Sequence, residues 1–265
     1  MRFALIALLC LLTPAQAEES ALVSLQTGDD SKGWNAVGRL NLGTYGFCTG
    51  ALIAPDLVLT AAHCLFDKDT GARIDPADIE FQAGLRNGRA EAYRHISRAV
   101  PHPDYIYSGA NNLDRVAFDV AVLELDQPIR QPSITPFSTG ARPQTGDEVG
   151  VVSYAKDRAE APSLQQVCHV IDEAPEVLVL SCDVDFGASG APIFAFDDGL
   201  ASIVSVVSAK ADIDKQKVSL GTALAAPLAV VMAELAKGNR PVALSGSKVQ
   251  MLSGGKASGA KFVKP

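Results

Sequence analysis

The run Ala51-Leu52-Ile53-Ala54-Pro55-Asp56-Leu57-Val58-Leu59-Thr60-Ala61-Ala62-His63-Cys64 reads as an apolar strand, a turn, a second strand, and then small residues ahead of a histidine. Two short β-rich segments on either side of Pro-Asp punctuation are expected to pair, and the small neighbours leave room for the His63 ring. The same pattern extends outward in both directions. Short runs rich in Val, Ile, Leu and Phe alternate with Gly, Pro and Asp clusters, giving candidate strands at 36–42, 47–54, 57–60, 79–83, 94–100, 120–125, 148–153, 165–171, 177–181, 192–196, 201–209 and 217–223. Only 228–236, following Pro227, shows helical periodicity, and proline is tolerated in a first turn. Many short strands and one helix predict an all-β sandwich or barrel.

Pro128, Pro132, Pro136 and Pro143 make a continuous strand implausible over 126–145, so this stretch is read as a linker between two halves of similar size. His63 and Asp119 fall in the first half and Ser189 in the second, which predicts a site in the groove between them. Together the halves span 34–237. From Gly238 the chain turns rich in Gly, Ser and Lys and loses periodicity, so 238–265 is expected to be a mobile tail.

Residues 1–17 read as a cleavable export signal, with Arg2 as the charged start, an apolar run from Phe3 to Leu12, and Ala15-Gln16-Ala17 at the cleavage point. The run is shorter than the ~20 residues a spanning helix needs. Residues 18–33 would then be an N-terminal segment, with a propeptide as one reading. Export implies a secreted or periplasmic protein, where disulfides persist. Loss of Cys10 with the signal leaves Cys48, Cys64, Cys168 and Cys182. Three pairings are open. Cys48 with Cys64 and Cys168 with Cys182 is the expected one, each closing a loop of about 15 residues and contributing about 3 kcal/mol.

Residues 18–237 carry 17 basic against 30 acidic side chains, whereas the tail holds five basic residues and no acid. An acidic body argues against a nucleic-acid-binding core. No Cys-x-x-Cys pair, clustered histidines or calcium-loop spacing is present, so no metal or other cofactor is expected.

Three strings carry the chemistry, and they arrive in the order His, Asp, Ser. A serine hydroxyl becomes a strong nucleophile when a histidine takes its proton and a buried carboxylate holds the imidazole tautomer. His63 ends the opening run. Asp119 stands at the entrance of the buried-looking strand Val120-Ala121-Val122-Leu123, with Asp114 as a rival that Arg115 would pair locally. Ser189 lies in Asp185-Phe186-Gly187-Ala188-Ser189-Gly190-Ala191-Pro192, whose glycines permit a tight turn. Such a turn aims the Gly187 and Ser189 backbone N–H groups at one spot, an oxyanion hole.

Taken together, these strings resemble the chymotrypsin-like serine endopeptidases, and within them the secreted bacterial members near the glutamyl endopeptidase branch. Phe47-Cys48-Thr49-Gly50-Ala51-Leu52-Ile53 is similar to the family's strand before the catalytic histidine, and His102-Pro103-Asp104-Tyr105 to its His-Pro-x-Tyr loop. Ile203-Val204-Ser205-Val206-Val207-Ser208 resembles the strand that pairs with substrate backbone. The resemblance implies two six-stranded antiparallel barrels with a C-terminal helix, and peptide hydrolysis through an acyl-enzyme. It also implies that Ser205 touches the catalytic aspartate.

Two departures stand out. Digestive members carry an aspartate before the nucleophile that pairs with a freed N-terminal amine; this chain has Ala188 and no Arg-Ile-Val-Gly-Gly sequence, so its oxyanion hole is expected to form without that ion pair. In the specificity pocket, Asp183 stands at the offset where trypsin-like members hold a carboxylate for Arg or Lys. Val207, at the position that is usually an open glycine, would narrow the pocket, and Val204 replaces the histidine of the glutamyl branch. The expected activity is that of a monomeric serine endopeptidase acting on protein or peptide. A silent protease-like binding module and an esterase or acyltransferase are the alternatives.

Overall fold

The structure is a computed structural model that describes residues 19–107, 113–213 and 216–238. The expected signal and the expected tail beyond Gly238 lie outside these residues. A two-residue strand, β1 (Val23–Ser24), precedes the first barrel. That barrel comprises β2 (Val37–Asn41), β3 (Phe47–Ala54), β4 (Leu57–Thr60), β5 (Glu80–Ala83), β6 (Ala92–Pro101) and β7 (Ala121–Leu125). It is antiparallel throughout and closes in the order β2-β3-β4-β7-β6-β5. Closure leaves no strand edge exposed.

In the expected linker only β8 (Ser138–Thr139) forms, lying parallel alongside Ser202 and Ile203 of the second half. The second half follows with β9 (Glu148–Ala155), β10 (Arg158–Ala174), β11 (Val177–Leu180), β12 (Pro192–Asp197), β13 (Leu200–Ile213) and β14 (Gln216–Ala223). These six strands form a second ring in the order β10-β11-β14-β13-β12-β9, closed by β9 on β10, with β1 added to β10. The chain thus has the expected chymotrypsin-like all-β architecture. A short helix, α1 (Leu113–Ala117), lies ahead of β7, and α2 (Ala225–Gly238) packs on β6 and β7.

Three buried clusters account for these strands. One fills the first barrel around Leu40, Leu52, Phe81 and Leu123, and another fills the second around Val151, Leu178, Leu180 and Ile193. The third is the seam between them, where Ala51, Leu59 and Val122 meet Val152, Tyr154, Phe194 and Val206. Alternate residues of β3, β4 and β7 therefore face the barrel core and the seam, so both faces are buried. That is why these strands read as unbroken apolar runs rather than as an apolar-polar alternation.

The observed bounds differ from expectation mainly where polar residues intrude. β10 runs over 17 residues because irregularities between Arg158 and Ser163 and between Gln165 and Cys168 let it bend from partner to partner. The helix begins at Ala225, with Pro227 absorbed in its first turn. Both expected disulfides are present: Cys48–Cys64 joins β3 to the turn bearing His63, and Cys168–Cys182 joins β10 to the segment leading to Ser189.

Candidate active site

A 3-10 turn, Ala62–Leu65, carries His63 off the end of β4, and the adjacent disulfide ties this turn to β3. Asp119 lies just before β7, which pairs with β4, so the two side chains are brought together by neighbouring strands. The ring Nδ1 is 2.7 Å from Asp119 Oδ2, and the His63 backbone N–H donates to Oδ1 at 2.8 Å. Asp119 is fully buried while the His63 side chain keeps 17 % of its surface. A buried carboxylate facing Nδ1 holds the ring proton there, leaving Nε2 as the basic nitrogen. The rival Asp114 falls in α1, and its side chain lies outside the described residues.

One expected contact is corrected. The hydroxyl that donates to Asp119 Oδ2 is that of Ser208, whereas Ser205 Oγ donates to the Thr222 carbonyl at 2.8 Å. The string holds two serines three residues apart, and a ladder irregularity between Val207 and Ala209 turns Ser208 out of the β13–β14 pairing toward the carboxylate. The functional register therefore moves by three. Counted from Ser208 rather than Ser205, the residue two positions on is Lys210, not Val207, and the residue just before is Val207, not Val204.

Ser189 and His63 line one cleft of about 660 Å³ between the barrels, walled by Phe47, Phe66, Tyr107, Phe186 and Gly187. No hydrogen bond joins the Ser189 hydroxyl to the ring among the described residues. Gly187 (φ +100°) and Gly190 (φ +74°) bracket Ser189 in a backbone form that side chains disfavour. The Gly187 and Ser189 N–H groups donate to no other described protein group, while Ala188, Gly190 and Ala191 all do. Two unengaged donors beside the serine match the demands of an oxyanion hole.

A smaller pocket of about 290 Å³ adjoins Ser189, lined by Val184, Asp185, Val207, Ala209, Lys210 and Arg115 among others. Asp183 is not among the residues lining either space. It is exposed, and its backbone N–H donates to Gln165 Oε1. The carboxylate at the pocket is that of Asp185, held below the usual carboxylate range chiefly by a hydrogen bond from Lys210. The Lys210 ammonium also sits 4.2 Å from the Phe186 ring centre. Sequence reading missed this trio, although Lys210 follows the aspartate-binding serine by two positions. Cys48, Cys64 and His63 lie close together, but both sulfurs are in the disulfide and offer no thiolate to a metal.

Residues 48–201 match the family model of the trypsin-like peptidase domain. Human serine protease 23 is 27% identical over 164 residues, which is 56% of this chain and 42% of that protein. The glutamyl endopeptidase of Bacillus licheniformis is 27% identical over 151 residues, 56% of this chain and 45% of that protein. The chain thus spans less than half the length of these curated relatives. The solved structure of a Glu endopeptidase in complex with MPD superposes with a TM-score of 0.63 at 20% identity, covering 82% of this chain and 97% of that one. No described helix is long and apolar enough to cross a membrane. With more than half of its length matched to one family model, this chain belongs to the trypsin-like peptidase domain family, and its two strand rings have the chymotrypsin-like fold.

Proposed function

We propose that the protein is a secreted or periplasmic serine endopeptidase in which Ser189, His63 and Asp119 act as nucleophile, base and orienting carboxylate. The observation that carries this reading is the fully buried Asp119 carboxylate facing the His63 ring across 2.7 Å, in a cleft that Ser189 also lines. His63 Nε2 takes the Ser189 proton as Oγ attacks the scissile carbonyl carbon, and the oxygen that becomes negative is received by the Gly187 and Ser189 N–H groups. Collapse of the tetrahedral species breaks the C–N bond, and His63 gives its proton to the departing amine. Water, deprotonated in turn by His63, then hydrolyses the ester and restores Ser189. Two disulfides suit an oxidising compartment. The pocket beside Ser189 carries Lys210 with Asp185 and lacks the Asp183 carboxylate, which favours no preference for Arg or Lys at the cleaved bond.

The test combines a fluorophosphonate label with turnover of casein. Labelling at Ser189, lost in Ser189→Ala together with at least about a 10⁴-fold fall in turnover, is expected. An unlabelled protein would indicate a silent binding module. A labelled one that cleaves esters but no peptide bond would indicate an esterase or acyltransferase.

A further inference from the structure

Thr49 of β3 is fully buried at the seam, and all of its polar groups are engaged around the Ser189 loop. Its hydroxyl accepts from the Tyr154 N–H at 3.1 Å and lies 2.9 Å from the Gly187 carbonyl. Because the Tyr154 amide can only donate, the single hydroxyl proton is directed to Gly187. The Thr49 N–H donates to the Ser189 carbonyl at 2.8 Å, and its own carbonyl accepts from Thr60 Oγ1 at 2.8 Å.

A peptide unit is planar and trans, so fixing its carbonyl also aims its N–H the opposite way. Four consecutive units of the loop are fixed in this manner. The 186–187 and 188–189 units, which carry the two unengaged N–H groups, have their carbonyls held by the amides of Lys156 (2.7 Å) and Ala191 (2.9 Å). The 187–188 and 189–190 units between and beyond them have their carbonyls held by Thr49, through its hydroxyl and its N–H. Gly187 at φ +100° is a residue about which the loop can turn, so the central unit is the one that needs an anchor. Ala188, buried on this loop, has no charge to anchor it.

We infer that Thr49 is the positioning residue that presets the oxyanion hole, its hydroxyl doing from the first barrel what an ion pair at position 188 would otherwise do. This rests on reading Gly187 and Ser189 as the oxyanion donors. The test compares Thr49→Val, which keeps shape and removes the hydroxyl, with Thr49→Ser, which restores it. Active sites are counted by fluorophosphonate titration, and kcat, KM and the affinity for a peptide boronate are measured per titrated site. Thr49→Val is expected to lose about 10²-fold in kcat, with KM changed far less, and boronate affinity is expected to fall in parallel with kcat/KM. Thr49→Ser is expected to recover most of the loss. Wild-type kcat per site in Thr49→Val, or equal damage in Thr49→Ser, would overturn the inference while leaving the protease reading intact. A wild-type protein that neither labels nor turns over would overturn both.

Discussion

The Asp119 carboxylate receives three donors: the His63 ring, the His63 backbone and the Ser208 hydroxyl. A hydrogen bond to a buried charge contributes about 1.5–3 kcal/mol, so Ser208→Ala is expected to lower kcat/KM by about tenfold or more. Ser205→Ala, acting on a hydroxyl bonded to the Thr222 carbonyl, is expected to leave kcat/KM within about twofold; steady-state kinetics of the two variants check the register. A second residue is expected to contribute to acid sensitivity. His102 is 3% exposed, stacks on Phe118 and accepts from the Asp104 N–H through Nδ1. Burial lowers its pKa, with Asp104 opposing in part. The unfolded chain therefore binds the proton more readily, and the stability that neutral His102 provides is lost as pH falls through the unfolded value of about 6.5 toward the lower folded one. In His102→Asn, the drop in melting temperature between pH 7.5 and pH 5 is expected to shrink; an unchanged drop would assign the acid sensitivity elsewhere.

At the scale of elements, β1 ties the N-terminal segment to the loop behind the small pocket. Ser20 exchanges backbone and hydroxyl bonds with Val167, and the buried Gln165 amide donates to the Ser20 carbonyl at 3.1 Å. The same side chain accepts from the Asp183 N–H at 2.7 Å, just after the Cys168–Cys182 bridge. Residues 18–33, for which a propeptide is one reading of the sequence, thus include a strand seated on β10. Replacing Gln165 by Leu removes two hydrogen bonds at about 1 kcal/mol each, which corresponds to a loss of about 4–8 °C in melting temperature. Thermal unfolding of that variant, and of a chain lacking residues 19–25, checks the coupling; no change in either would show the strand to be dispensable.

For the whole molecule, the seam is lined by side chains as buried as those of the two barrel interiors. Leu59 and Val122 of the first barrel share it with Val152, Phe194 and Ile203 of the second, and Val231 of α2 extends it. Neither barrel covers this surface alone, so the two are expected to unfold together. Calorimetry should give one endotherm whose calorimetric and van't Hoff enthalpies agree, and two resolved transitions would show independent barrels. Gly190 marks how close the halves approach: at φ +74° a Cβ there would meet the Thr49 carbonyl at 2.5 Å.

What the order of residues determined by itself was everything written in local pattern. Strands 47–54 and 57–60 have the bounds expected of them, the two disulfides follow the short loops their spacing suggested, and the His and Ser strings line one cleft, with Asp119 buried behind the His63 ring. Composition cannot tell which of two serines three residues apart faces a carboxylate, because a strand's facing depends on where its ladder slips. Nor can it show that Thr49 meets Gly187 across 138 positions, or that Lys210 folds over Phe186. Those contacts were decided only when the barrels closed and met. Hydrogen bonds between distant segments depend on register and approach, whereas strand, turn and cysteine signals depend on neighbours in the chain.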